Sequence, residues 1–379
     1  MFTTTVARAH ASGPAPQAVA SLVADLRGGL AGQDAGVVLF FASAAYEPQD
    51  LAGPLAGKFA EANVLGCSTA GEFTDGVSGT GGVTAIAFPV SVIARSAAAL
   101  ADLTYDALGA TLAAVQVVEA GLGSALRTLD PGRHVGLVLI DGMHGVEEAV
   151  NEALGNAAPL LDVVGGSAGD DLAFQDTWVS VGDQVSRDGA ALVVCETTGP
   201  FTVLKTCTFS PTGKKLRVTR AGLADRIVHE FDGRLATEAY AEAIGIDPAG
   251  LDSAVFMQHP VGLMVDGAPF IRSPQQVTGD GGIKFYCQIP EGMEVDVMQS
   301  GDLVSETSEA FAAAVEGLGG AVRGAVLFNC ILRRLELEAN GQTQGFLDAF
   351  RGTPVAGFHT YGESWLGHMN QTLTGVVFA

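Results

Sequence analysis

The sequence predicts an α/β protein: repeated βαββ units forming mixed sheets with helices on the outer faces, a layered αββα-like arrangement in two similar domains. Two observations carry the prediction. A short phrase recurs three times: Val-Leu-Gly-Cys-Ser-Thr-Ala-Gly-Glu at Val64 to Glu72, Val-Val-Gly-Gly-Ser-Ala-Gly-Asp at Val163 to Asp170, and Val-Ala-Gly-Phe-His-Thr-Tyr-Gly-Glu at Val355 to Glu363. Each phrase follows an apolar run opening on Gly36, Gly136 or Gly324, and the spacing from that glycine to the first glycine of the phrase is 30, 29 and 33 residues. Recurrence at nearly constant spacing is the mark of a repeated supersecondary unit.

The elements follow in order. An amphipathic helix over 14–30 places Val19, Leu22, Val23 and Leu26 at helical spacing and ends near Gly28-Gly29. The first copy then reads as a strand Val37 to Phe41, a helical pattern at Leu51, Leu55 and Phe59, the phrase, and a β-rich run Val83 to Phe88. A helix from about Tyr105 to Arg127 leads to the second copy. That copy has a strand Val135 to Ile140, a helix with Val146, Ala149, Val150, Ala153 and Leu154 on one face, the phrase, and strands around Trp178 to Val181 and Ala190 to Glu196. The pattern restarts after Thr197-Thr198-Gly199-Pro200, which sets the expected domains at 1–199 and 200–379. The second half reads as a helix over 235–244, strands over 255–264 and 269–273, a loop over 278–282, a helix near 308–318 and the third copy.

Composition narrows the function classes. With 48% apolar and 16% charged residues the chain is globular, and a formal charge of −22 repels phosphate backbones and anionic membranes. Nucleic acid and membrane insertion are therefore not expected as partners, whereas an oligomer is compatible. Residues 1–16 lack the apolar region of a secretory signal, and the longest uncharged stretch, 76–94, is broken by glycines and Pro89. Five scattered cysteines, Cys67, Cys195, Cys207, Cys287 and Cys330, read as reduced, buried thiols of a cytoplasmic protein with no structural zinc.

Glycines give each repeated turn its backbone freedom, and the acid that closes it, Glu72, Asp170 or Glu363, accepts hydrogen bonds from loop amides or faces a shared cleft, the structural reading coming first for Glu72 and Asp170. The copies differ at the position after the opening Gly (Cys67, Gly166, Phe358), at the next (Ser68, Ser167, His359) and at the strand end (Phe41, Asp141, Asn329). The third copy is the most polar and bulky. Asn329, Arg333, His359, Tyr361 and Glu363 are expected to converge there as a ligand site.

The phrase 65–72, the run His259-Pro-Val-Gly-Leu-Met-Val-Asp-Gly-Ala-Pro-Phe-Ile-Arg-Ser-Pro274, Leu327-Phe-Asn-Cys330 with Arg333, and 357–363 followed by Asn370-Gln-Thr372 together resemble the FIST domain, a bacterial sensory module with N- and C-terminal parts. The resemblance implies a small-molecule sensor in signal transduction, with amino acids as proposed ligands. One subgroup binds haem, senses nitric oxide and reports to histidine kinases. The chain is similar to that subgroup over Tyr286 to Met298, and by that resemblance is expected to be a free-standing sensor with no output domain.

Haem b would be held non-covalently, since no Cys-x-x-Cys-His occurs, and needs an axial side chain in apolar walls. His259, in an apolar strand-like run, is the first candidate, followed by His368 and His359; the alternative for His259 is a strand-end imidazole bonded to backbone. Arg272 beside Pro274 offers the planar fork that grips a haem propionate or an amino-acid carboxylate equally well, or sits in an exposed ion pair. Asn370 completes the expected set. Gly165-Gly-Ser-Ala-Gly169 matches the nucleophile elbow of serine hydrolases, but extended segments rather than a helix are expected after it. The Gly-rich loops 75–82 and 278–282 lack a phosphate-binding lysine and read as hairpin connections. The expected protein is a non-catalytic sensor using haem and nitric oxide, or a haem-free sensor of an amino acid or small carboxylate, with a serine hydrolase as the outlier.

Overall fold

The computed structural model describes residues 6–379 and divides into two compact units. The first comprises the described residues up to Thr206 with Thr307–His368 and Leu373–Ala379; the second comprises Cys207–Glu306 and Met369–Thr372. A cut at Gly199 does not follow this division, because the third copy of the repeat packs with the first two.

Each copy begins with a parallel pair of strands: Ala35–Ser43 with Asn63–Thr69, His134–Ile140 with Val163–Ser167, and Gly324–Cys330 with Val355–Thr360. Each pair is flanked by an antiparallel return strand, Gly82–Pro89, Gly189–Thr197 or Leu373–Phe378, and by an outer strand, Ala7–Ser12, Ile93–Asp102 or Phe201–Thr206. The sixfold sheets are then completed by exchange. The hairpin Glu72–Thr74/Ser78–Gly79 of copy one joins the sheet of copy three, Glu363–Ser364/His368–Met369 of copy three joins that of copy two, and Val179–Val181/Gln184–Ser186 of copy two joins that of copy one. The donation closes into a cycle, so every copy both gives and receives an edge.

The inner strands are apolar runs because both faces are covered. Val37, Leu39 and Phe41 face a core shared by all three sheets, with Leu137, Leu139, Phe328 and Phe358, while Val38, Phe40 and Ala42 face the helix Ala15–Leu30 through Leu22 and Leu26. Phe41 lies 4.9 Å from Phe358, and Phe328 lies 5.7 Å from Phe358, centroid to centroid. The second sheet is covered by Ala107–Leu122 and Glu147–Ala157. Phe311, Phe346 and Phe350 cluster on the outer face of the third, over Phe73. Sheets inside and helices outside is the expected arrangement, realised with three sheets around one interior. Ile93–Asp102 was not expected as a strand: its run of alanines has weak β preference, and what holds it is close packing of Ala97, Ala99 and Ala101 in the helix-facing core.

The second unit is built differently, from an antiparallel sheet in the order Ala268–Arg272, Val261–Val265, Glu294–Ser300, Phe209–Gly222, Ile227–Phe231, Ile283–Phe285, Pro274–Val277. The helix Ala236–Ile244 packs on it through Tyr240, 5.8 Å from Phe256. The strand expected over 255–264 is a helix Ser253–Gln258 followed by a strand Val261–Val265. Asp252 caps the helix by accepting from Val255 N at 2.9 Å, and Pro260 prevents its continuation.

Glycine at the first position of the phrase is a packing requirement. A Cβ on Gly165 would lie 1.7 Å from the Val138 carbonyl oxygen, an immovable backbone atom, whereas one on Gly76 meets nothing within 4 Å. We expect Gly165→Ala to destabilise by about 3 kcal/mol or more, and Gly76→Ala to change stability by less than ~0.5 kcal/mol, as read from denaturant unfolding. Equal effects would mean that the turn is not close-packed.

Candidate functional site

The three repeated turns meet in the middle of the first unit, backbone against backbone. Ala70 N donates to His359 O at 3.0 Å and His359 N to Gly71 O at 2.7 Å; Gly169 N donates to Ser68 O at 3.2 Å; Ser167 N donates to Gly362 O at 2.8 Å and Tyr361 N to Ser167 O at 3.1 Å. Side chains of all three copies surround this junction.

Asn329, Arg333 and His359 converge as expected, in a buried chain. Arg333 Nη2 donates to Thr307 Oγ1 at 2.7 Å and its Nε to Asn329 Oδ1 at 2.9 Å. With its oxygen engaged, Asn329 turns its amide nitrogen to His359 Nδ1, 2.9 Å away. Nδ1 must therefore accept, which leaves the proton on Nε2, facing Ser78 Oγ at 3.4 Å. Burial, then the charges of Arg334 and Arg333, hold the imidazole well below its ordinary pKa. His359 is thus a neutral N–H donor and cannot take a proton from Ser78.

The other members of the expected set are placed elsewhere. Tyr361 reaches Asp170, and Glu363 accepts from Thr360 Oγ1. Arg272 and Asn370 belong to the second unit. There Asn370 Oδ1 accepts from Cys287 Sγ at 2.9 Å and Ser273 N at 3.4 Å, and Arg272 Nη1 donates to Ile271 O at 3.2 Å.

Haem fits poorly at two of its three candidate ligands. Both ring nitrogens of His359 are committed, and its ring lies 5.1 Å from Phe73. His368 is 2% exposed, with its ring packed so tightly on Gly362 that a methyl there would stand 2.1 Å from Cε1. His259 is half-buried after the helix Ser253–Gln258, its carbonyl accepting from Tyr240 Oη. Ser167, the elbow serine, is fully buried and donates to Glu147 Oε1 at 3.2 Å, and no helix follows its strand.

Register corrects the alignment of the closing acids. Glu72 pairs with Phe358 and Glu363 with Gly166, but the residue pairing with Cys67 is Val179, not Asp170. Six positions separate the first phrase glycine from the hairpin in copies one and three, and fourteen in copy two, an insertion of eight residues. The loss is chemically coherent. Thr69 Oγ1 donates to Glu72 at 3.1 Å and Thr360 to Glu363, while the corresponding residue of copy two is Ala168. Strand-end equivalence also shifts: Phe41 pairs with Cys67 and Asn329 with His359, while Asp141 lies one residue beyond the partner of Ser167.

The inserted segment builds a pocket. Asp170 accepts from Phe174 N at 2.9 Å, Gln175 N at 2.6 Å and Asp176 N at 3.0 Å, folding the segment into a compact loop. With Tyr46, Glu47, Trp178 and Arg187 it lines a cavity of about 190 Å³. Arg187 faces two of the carboxylates, Asp176 and Glu47, the latter at 3.5 Å. The Trp178 indole N–H is buried without a partner. Of the lining residues the sequence places Asp170 in the repeated turn and Trp178 at the start of a strand and assigns none to a ligand; the signal that could have found them is the longer gap between phrase and following strand.

The profile of the FIST N domain matches residues 36–234 and that of the FIST C domain residues 236–365. The sequence boundary between them falls inside the second compact unit. No curated protein matches the sequence. Among solved structures, a cyanuric acid hydrolase from A. caulinodans is 12% identical at a TM-score of 0.34, covering 99% of this chain and 98% of that one. A chorismatase is 10% identical at a TM-score of 0.34, covering 100% and 99%. Likenesses this distant bear on neither activity nor substrate. No helix among the described residues is long and apolar enough to cross a membrane.

Glu72 gives the junction a pH signature. It is 1% exposed, and burial raises its pKa to about 8 against hydrogen bonds from Gly82 N and Thr69. The folded state then keeps a proton that the unfolded state releases, so stability falls as pH rises from about 4.5 to about 8. At ~1.4 kcal/mol per unit the full loss is on the order of 5 kcal/mol. Glu72→Gln is expected to match wild type near pH 5 and to melt higher at pH 8.5; a variant that melts lower at both would assign the carboxylate a charged structural role.

Proposed function

The chain belongs to the FIST family, whose domains are small-ligand sensory domains of signal transduction, and we propose that it is a non-catalytic sensor of an amino acid or related small carboxylate. The observation that carries this reading is the pocket of the second copy's insertion, where one guanidinium and three carboxylates share about 190 Å³. Arg187 suits a ligand carboxylate through two parallel hydrogen bonds, and Glu47 and Asp176 suit its ammonium, while Asp170 is engaged by the loop amides and Tyr361. The Trp178 indole, whose N–H is buried without a partner, forms another part of the wall. The size favours a small amino acid. Absence of catalysis is supported by the buried Ser167 and by a His359 tautomer that cannot act as a base toward Ser78.

A ligand transmits only through unequal affinity for two states, so the bound pocket must favour one arrangement of its walls. The state then passes to a signalling partner, for which a histidine kinase is the proposed class. A haem-based nitric oxide sensor is the competing account, and it rests on His259.

Thermal-shift screening of the twenty standard amino acids and small mono- and dicarboxylates, followed by calorimetry, tests the reading. At least one amino acid is expected to raise the melting temperature, and Arg187→Ala to weaken it at least tenfold, for loss of a charged hydrogen-bond pair worth about 1.5–3 kcal/mol. No response across the panel, together with a Soret band after haem supply that shifts with nitric oxide and is lost in His259→Ala, would replace this account with the haem one.

A further inference from the structure

The loop that walls the pocket is held in a conformation that its own residues disfavour. Asp171, Leu172 and Phe174 have φ of 56°, 67° and 52°, the left-handed region, within four consecutive positions. A leucine and a phenylalanine gain nothing there from local side-chain hydrogen bonding, so something outside the loop must impose the shape. The contacts from outside are few. Tyr361 Oη donates to Asp170 and accepts from Leu172 N at 2.8 Å, and its ring stacks on Phe174 at 5.1 Å. Arg334 adds a bond to Asp171 at 2.9 Å, and Arg187 pairs with Asp176 at the far end of the loop.

We infer that Tyr361 is a positioning residue for ligand binding: its hydroxyl is the catch that keeps the inserted loop 171–176 in its strained form over the pocket. The hydroxyl joins the two ends of one device. Through Asp170 it acts on the carboxylate that organises the amides of residues 174–176, and through Leu172 it acts on the loop backbone directly. Leu172 and Phe174 are 38% and 49% exposed, so little burial opposes opening once the catch is lost. Three walls of the pocket, Ala173, Gln175 and Asp176, move with the loop. The inference rests on the ligand seat proposed above for its effect on affinity, but not for its effect on the loop.

The two are separated by measuring both in Tyr361→Phe, which removes only the hydroxyl and retains the stack on Phe174. Hydrogen exchange of the full chain is expected to speed up at least tenfold at the amides of Leu172, Phe174, Gln175 and Asp176 together, with the strand Val163–Ser167 unchanged, and the tightest amino acid of the panel to bind about tenfold more weakly. Phe174→Ala, which leaves the hydroxyl, is expected to keep exchange at Leu172 within threefold of wild type. Faster exchange at Leu172 alone would overturn the catch, because the loop would then not open as a unit. Faster exchange throughout the unit would overturn it as well, by making Tyr361 a general support of the fold. If the loop opens as expected while wild type binds no amino acid, the catch stands and only the ligand reading fails.

Discussion

Three chain segments turn at one point, and the room there admits backbone but hardly any side chain. Gly169 stands so near Ala70 that a Cβ would come within 2.7 Å of its backbone nitrogen, and on Gly142 one would come within 2.0 Å of the Ala168 oxygen. This crowding explains why the same small residues return in each phrase. It also explains the exchange of hairpins: a strand that turns at the junction emerges beside the neighbouring sheet rather than its own. Each sheet is thereby finished by another copy, which ties three local units into one core with long-range pairing throughout.

A repeat with three equivalent turns has no reason to prefer one ligand seat, so function must come from where the copies depart from one another. Copies one and three keep a threonine and a buried glutamic acid at the turn, a self-contained polar pair. Copy two has lost both and carries eight additional residues. The loop they form would be unsatisfied on its own, and Asp170 and Tyr361, from two different copies, supply its hydrogen bonds. Polar groups that the symmetric scaffold does not require are thus concentrated at its one irregular turn. The buried chain from Thr307 through Arg333 and Asn329 to His359 fixes the third copy beside it, and serves geometry rather than proton transfer.

Much of this was legible in the sequence. The phrases and the apolar runs before them identify the inner strand pairs, because strands covered on both faces must be continuously apolar. Convergence of Asn329, Arg333 and His359 follows from the repeat, since paired strand ends share a sheet edge. What failed has physical causes. Asp170 aligns with Glu72 and Glu363 by its neighbouring glycine, yet pairing register is set by hairpins further along the chain. His259 lies in an apolar run whose helix is decided by Asp252 and Pro260 at its ends. The exchange between copies, and hence the joining of the third copy to the first two, leaves no local trace, because any of the sheets could accept any hairpin by pattern alone.

The three-sheet scaffold does not depend on the loop 171–176, whereas the proposed ligand seat does, with Thr177 and Trp178 after the loop belonging to the scaffold itself. Deleting residues 171–176 removes the loop, brings the second copy within two residues of the spacing of the other two, keeps Trp178 in the core, and tests both halves at once. The shortened chain is expected to unfold cooperatively in denaturant while calorimetry finds no binding of the amino acid that the full chain takes. Undiminished binding by the shortened chain would contradict the placement of the seat, and failure of the shortened chain to fold would contradict the completeness of the scaffold.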